Sequence, residues 1–267
     1  MISAVFFYIL YWVKTNQPSN NRNWQEDVAV LAYADIDGDK VTIHNIRNFD
    51  YQTEYIYQAH YYTKEFNLND LKSVDLIVSY WMGPAIAHTF LSFGFGEGTQ
   101  IAISIETRKE KGEEYSSIKG FFNQYELYYV VADERDVIRL RTNYRHNPEE
   151  EVYLYQLVGS KENIRRIFIE YLEQINHLKT NPEFYNSLTH NCTTSIWINS
   201  RVNAKHLPFN WKILLSGYLP ELLYDNHRIK NYGLSFSDLK KHAKINHRAL
   251  IADKDKNFTL SIREGLK

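Results

Sequence analysis

Short apolar runs separated by turn formers fill the first half of the chain, and the pattern changes to helical spacing near residue 160. Residues 28–34 and 40–46 predict two strands, joined by Asp35-Ile36-Asp37-Gly38-Asp39. That acidic cluster also invites a calcium-loop reading. Counting from Asp35, however, Gly38 is fourth and Ile46 twelfth, where an EF-hand requires Gly at six and Glu at twelve. Asp37-Gly38 instead has the chemistry of a tight hairpin turn. Residues 74–81, 89–93, 100–105, 127–131 and 152–157 predict five further strands, being short and rich in β-branched and aromatic residues. The glycines of Phe93-Gly94-Phe95-Gly96-Glu97-Gly98 are followed by no Lys-Ser/Thr and fit no nucleotide fingerprint, so a hairpin connection is expected there.

After Ser160 the period lengthens. Ile164, Ile167, Phe168, Tyr171, Leu172 and Ile175 recur at three and four, and the helix they predict ends near Asn181-Pro182. A second helix is expected from Cys192 or Thr193 to about Arg201, with shorter pieces at 211–216, 221–224 and 237–243. Strands first and helices later indicate an α+β fold, an antiparallel sheet packed against helices.

Composition narrows the function classes. With 31 basic and 32 acidic residues and no basic run, a nucleic-acid partner is not expected. Residues 2–13 are apolar but shorter than the roughly 20 residues that cross a bilayer. Neither a basic region before this segment nor a small-residue cleavage site after it marks a secretory signal. It reads as the end of a truncated transmembrane helix, an interfacial aromatic anchor or a helix packed on the domain, the first being favoured. Residues 14–23, rich in Asn, Gln, Pro and Ser, read as a linker, and 24–267 as one domain.

The chain has one cysteine, so it has no internal disulfide. Cys192 sits where a polar stretch opens a helix. Unpaired N–H groups and the positive end of the dipole there favour a thiolate, although a free cysteine is equally at home as a small buried hydrophobe. A thiolate nucleophile needs a base and a group that orients the base. Among ten histidines His88 stands out, just after Gly83-Pro84 at a loop-to-strand junction where a sheet edge can hold it. The next predicted strand presents Ser104, Glu106 and Arg108 at period two. Glu106 is the best orienting candidate, with a structural ion pair to Arg108 as the competing reading. Arg108 is expected to buttress Glu106 or hold an anionic part of the substrate. His190-x-Cys192 offers two of the four ligands a structural zinc needs, so no metal and no other cofactor is expected.

The segment around His88, the strand Ser104-Ile105-Glu106-Thr107-Arg108, Phe122-Asn123-Gln124-Tyr125-Glu126-Leu127 and Asn191-Cys192-Thr193-Thr194 together resemble the Lnb N-terminal periplasmic domain family. Arg47-Asn48-Phe49 and Gly217-Tyr218-Leu219-Pro220 add to the likeness, which runs over about residues 22–225. The resemblance implies a circularly permuted papain-like (NlpC-like) fold, with the histidine preceding the cysteine in the chain. It maps the catalytic pair onto Cys192 and His88. Glu106 is expected as third member, with Ser104, Asn191 and Arg108 in support or at the substrate. The implied activity is a thiol acyltransferase or hydrolase acting on an ester or amide of a lipid or lipoprotein through a thioester. The implied location is the periplasm, tethered to the membrane. A peptidoglycan amide hydrolase and a non-catalytic scaffold of the same fold are the alternatives. The sequence leaves the oligomeric state open.

Overall fold

A computed structural model describes residues 16–96, 98–113 and 125–266; the apolar segment 2–13 and Phe122-Asn123-Gln124 lie outside them. Strands β1 (Tyr33–Asp37) and β2 (Lys40–Arg47) form the expected hairpin, with Gly38 at φ +59°. Such a φ is strained for residues with a Cβ and free for glycine. After a two-stranded ribbon of β3 (Asp50–Tyr51) and β4 (Tyr57–Gln58), β5 (Tyr61–Asn67) returns to pair with β2. Then come β6 (Ser73–Met82), β7 (Ile86–Gly94), β8 (Gln100–Arg108), β9 (Glu126–Ala132) and β10 (Glu151–Gln156). The sheet runs β1-β2-β9-β8-β7-β6-β10. It is mixed rather than purely antiparallel, because β2 meets β9 in parallel register at Arg47 and Ala132.

Helices cover both faces, which is why β6 to β10 read as nearly continuous apolar runs. Against one face lies α2 (Lys161–Thr180), preceded by the short α1 (Glu134–Arg139) on the other face. Ile164, Phe168, Tyr171, Leu172, Ile175 and Leu178 of α2 pack with Leu91, Phe93, Ile103 and Tyr129 of the sheet. Ser160 caps α2 by accepting the N–H of Asn163 (3.2 Å). Further along come α3 (Cys192–Ser200), α4 (Trp211–Leu214), α5 (Leu219–Asp225) and α6 (Phe236–Ala243). The opposite face buries Ile77, Phe90, Ala102, Tyr128 and Val130 under Val137 and Ile138 of α1. Residues of α7 (Asn246–Ile251) and α8 (Phe258–Ser261) complete that layer.

One predicted strand is shorter than expected. Residues 26–28 form a 3-10 turn, and the strand begins only at Tyr33. The carbonyls between are taken by side chains rather than by a ladder: Arg108 binds Val28 O (2.9 Å) and Ala29 O (2.7 Å), and Tyr128 Oη donates to Val30 O (2.9 Å).

Candidate active site

The pairing of β7 with β8 runs from Gly94 to Leu91 and stops there, while β7 stays paired with β6 past His88, which lies opposite Ser79, to Ile86 opposite Met82. Between the two strands the sheet opens as a fork, and the N-terminus of α3 enters it. Thr89 Oγ1 and Thr193 Oγ1, 2.8 Å apart, tie strand to helix. His88 therefore lies inside β7 at the mouth of the fork, rather than at the sheet edge and loop junction that the sequence suggested.

Cys192 is the first helical residue and 8% exposed. Its neighbour Asn191 is extended (φ −91°, ψ 178°) and caps the helix: Oδ1 accepts the N–H groups of Thr193 and Thr194, each at 2.8 Å. Thr194 Oγ1 accepts the Asn191 N–H in return (2.9 Å), and Asn191 Nδ2 donates to Ser187 O (2.7 Å). This cap fixes where the sulfur points. It also consumes two of the helix-start N–H groups that could otherwise serve an oxyanion. The Cys192 N–H, which has no hydrogen-bond partner among the described residues, is the donor left at the helix start.

Burial alone would push the Cys192 thiol up. The His88 imidazole, a hydrogen bond from the Thr89 N–H and the Thr193 hydroxyl 3.7 Å away outweigh it and lower the thiol from 9.0 to about 7. Burial likewise pulls His88 down, but the charge and hydrogen bond of the Cys192 sulfur, with help from Glu106, raise it to about 9. The sign of both shifts favours a thiolate facing an imidazolium between those two values.

The far side of the ring is held by a relay. His88 Nε2 lies 2.7 Å from Ser104 Oγ, and Ser104 Oγ donates to Glu106 Oε1 at 2.8 Å. A carboxylate only accepts, so the hydroxyl hydrogen is spent on Glu106 and the oxygen accepts from Nε2–H. That leaves Nδ1 for Cys192. Nε2 is also 3.5 Å from Glu106 Oε1 itself. Burial would raise the Glu106 pKa, but Arg141 and His88 more than offset it and hold the carboxyl well below the usual range.

Of the residues singled out in the sequence, Cys192, His88, Ser104, Glu106 and Asn191 converge. Arg108 does not: its guanidinium is spent on the carbonyls of Val28 and Ala29, on Asn20 Oδ1 (3.0 Å) and on the face of Trp24 (4.2 Å). The cation beside Glu106 is Arg141, with Nη2 donating at 2.8 Å and the guanidinium over Phe90. Arg141 sits on a π-helical turn, Leu140–Tyr144, that continues α1. Behind it Arg145 Nη1 binds Glu150 Oε1 (2.8 Å), and Ser79 Oγ donates to Glu150 Oε2. Ser79 is the residue opposite His88 across β6 and β7. Sequence reading passed over Arg141, Arg145 and Glu150. The faint signal was three arginines in Arg139-Leu140-Arg141-Thr142-Asn143-Tyr144-Arg145, where a buried helix turn tolerates charge only if it is paired. A cavity of about 240 Å³ lined by Asp75, Lys230, His242 and Arg263 lies toward the opposite end of the strands and holds none of these groups.

The turn after α4 braces the hairpin that carries His88. Ser216 Oγ accepts the Ala87 N–H (2.9 Å) and donates to Ala87 O (2.7 Å), while the Gly217 N–H reaches Ala85 O (3.0 Å). A Cβ on Gly217 would stand 2.1 Å from Pro84 O, so only glycine fits.

No helix of the described residues is long and apolar enough to cross a membrane. Neither a curated protein nor a solved structure matches the chain. Residues 57–217, more than half the chain and the stretch that holds β7, β8 and the start of α3, match the family described as the Lnb N-terminal periplasmic domain, and the chain belongs to that family of periplasmic domains.

Proposed function

We propose that this chain is an extracytoplasmic thiol acyltransferase or hydrolase, working on an ester or amide of a lipid or lipoprotein through a thioester on Cys192. The observation that carries the reading is the sulfur's surroundings: a helix N-terminus, the Thr89 N–H and an imidazole that is itself held by Ser104 and Glu106. A buried cysteine of purely structural use needs no such relay, and nothing about packing requires Glu106 to be ionised behind it. The order of the pair, histidine before cysteine, is the order of a permuted papain-like arrangement.

The thiolate attacks the carbonyl carbon, and the carbonyl π electrons move onto oxygen. The Cys192 N–H meets that oxyanion. The tetrahedral intermediate collapses, the bond to the leaving oxygen or nitrogen breaks, and His88 Nδ1–H supplies its proton. The resulting thioester is attacked by an amine or by water. His88 Nδ1 takes the proton of the attacking group, and collapse returns the thiolate. Glu106, acting through Ser104, keeps the ring in one tautomer and one orientation throughout, a role comparable to the carboxylate of a serine triad.

The test is turnover of lipoprotein and phospholipid esters, with cell-wall amides as the comparison. Cys192→Ala and His88→Ala should each lose on the order of 10²-fold or more, the contribution of a positioned acid–base group. Full turnover by both variants on a substrate that the parent protein processes would sink the reading, because the chemistry would then not pass through Cys192 and His88.

A further inference from the structure

We propose that the hydroxyls of Thr89 and Thr193 form a relay that donates to the Cys192 sulfur and eases its departure from the thioester. The proposal rests on the thiol-enzyme reading and adds to it a catalytic residue, Thr193, and a positioning residue, Thr89. Both side chains are out of reach of water, Thr89 at 0% exposure and Thr193 at 1%.

The direction of the relay follows from counting hydrogens. Thr89 Oγ1 and Thr193 Oγ1 are 2.8 Å apart, and Thr193 Oγ1 is 3.7 Å from Cys192 Sγ. Neither hydroxyl makes another hydrogen bond among the described residues. If Thr193 donated to Thr89, the Thr89 hydrogen would be buried without an acceptor, which is costly. Donation from Thr89 to Thr193, and from Thr193 to the sulfur, leaves no hydrogen over. It also ends the chain of bonds on the atom that carries charge, where a donor counts most.

The fork in the sheet makes the meeting possible. Thr89 lies beyond Leu91, where β8 has left the ladder, so its N–H has no strand partner on that side and reaches the sulfur instead. Thr193 is held in turn by the Asn191 cap on its own N–H (2.8 Å). The titratable groups around the sulfur are His88 from β7 and Tyr171 from α2. Burial holds the Tyr171 hydroxyl well above its ordinary value, so it stays neutral there. Glu106 of β8 and Arg141 reach the sulfur only through His88.

The chemistry such a relay serves is set by when the sulfur is charged. It is charged in the resting thiolate and neutral in the thioester. When an amine or water adds to the thioester carbonyl, the carbon–sulfur bond then breaks and its electron pair returns to sulfur. The attacking group's proton goes to His88, while the Thr193 O–H stays intact and donates a hydrogen bond only. A donor that meets charge on sulfur therefore favours the resting thiolate and the step that expels it, and gives little to the acyl-enzyme. Its cost falls on the first step, because a thiolate of lower pKa attacks more slowly but leaves faster.

The experiment is the pH profile of Cys192 alkylation by iodoacetamide in the full chain, for Thr193→Val, Thr193→Ser and Thr89→Val beside the parent and His88→Ala. Thr193→Val should move the midpoint up by about one pH unit, the worth of one hydrogen bond to a charged group. Its plateau at high pH should not fall, and should rise by up to about threefold as the thiolate becomes more nucleophilic. Thr193→Ser should keep the parent midpoint, and Thr89→Val should move it in the same direction by less than half as much. Thr193→Ala removes the same hydroxyl and carries the same expectation if Thr193→Val does not melt cooperatively. An unmoved midpoint in Thr193→Val and Thr193→Ala, with His88→Ala still shifted, would overturn the relay and leave the thiol chemistry standing. A midpoint that moves as far in Thr193→Ser as in Thr193→Val would also overturn it, since shape rather than the hydroxyl would be acting. Failure of the thiol-enzyme reading itself has a different signature, a parent midpoint that does not respond to His88→Ala.

Discussion

His88 offers its two nitrogens to two different tasks, and the division is enforced by one hydroxyl. Because Ser104 donates to Glu106, it accepts from Nε2–H, and Nδ1 faces the sulfur. Glu106→Gln keeps the shape but removes the carboxylate whose hydrogen bonding helps raise His88. Turnover should fall on the order of 10- to 100-fold, less than the roughly 10⁴-fold loss from a wrong tautomer in a serine triad, since Ser104 still stands between the groups. The alkaline limb of its pH–rate profile should also move to lower pH; an unmoved limb would mean that Glu106 serves only packing. At this scale much of the site was legible. A lone cysteine at a helix start and a period-two strand pointed to Cys192, His88, Ser104 and Glu106. The same period misled for Arg108, which shares the face but whose long side chain turns to the carbonyls of Val28 and Ala29. Arg141 was not legible, because its contact with Glu106 spans 35 residues and starts from a π-helical turn with no periodic signature.

The elements matter here for how they present two atoms to each other. Helix α3 holds Cys192 through the Asn191 cap, so Asn191→Ala should cost about 1 kcal/mol of stability, as N-cap truncations do. It should also slow alkylation, because the sulfur loses its fixed position. A melt that shows the stability loss without any change in alkylation would separate the cap from the chemistry. On the strand side the Gly217 brace is the sensitive point. Gly217→Ala forces a methyl group against Pro84 O, and the thermal midpoint should drop by several degrees, as about 1–3 kcal/mol of overpacking implies. An unchanged midpoint would show that the turn gives way freely. Strong periodicity made α2 and β6 to β10 readable, although β7 was expected three residues later at its start and one earlier at its end. Strand β5 escaped because it is polar and mostly exposed, with only Phe66 buried, and so shows no alternation. Helices α1, α7 and α8 escaped because six, six and four residues are too few to display a period.

For the molecule as a whole, a sheet covered on both faces supplies rigidity on either side of a local opening. The two apolar layers meet through β7 and β8, and the fork between those strands lets a helix from one layer reach a histidine that faces the other. That passage explains why a thiol and an imidazole from opposite sides of a sheet can form a pair, and why no reading of strands one at a time could have foreseen it. The pH behaviour of the whole enzyme follows from the pair. Thiolate accumulates as pH rises through about 7, and the proton that His88 must deliver is lost as pH rises through about 9. The most direct measurement is therefore the rate of Cys192 alkylation against pH in the parent protein and in His88→Ala. The account predicts a parent rate that titrates near 7, with the midpoint in His88→Ala moved up to at least the free-thiol value of about 8.5. A slow rate that titrates alike in both folded proteins would contradict it, and Cys192 would then be a buried thiol without a partner.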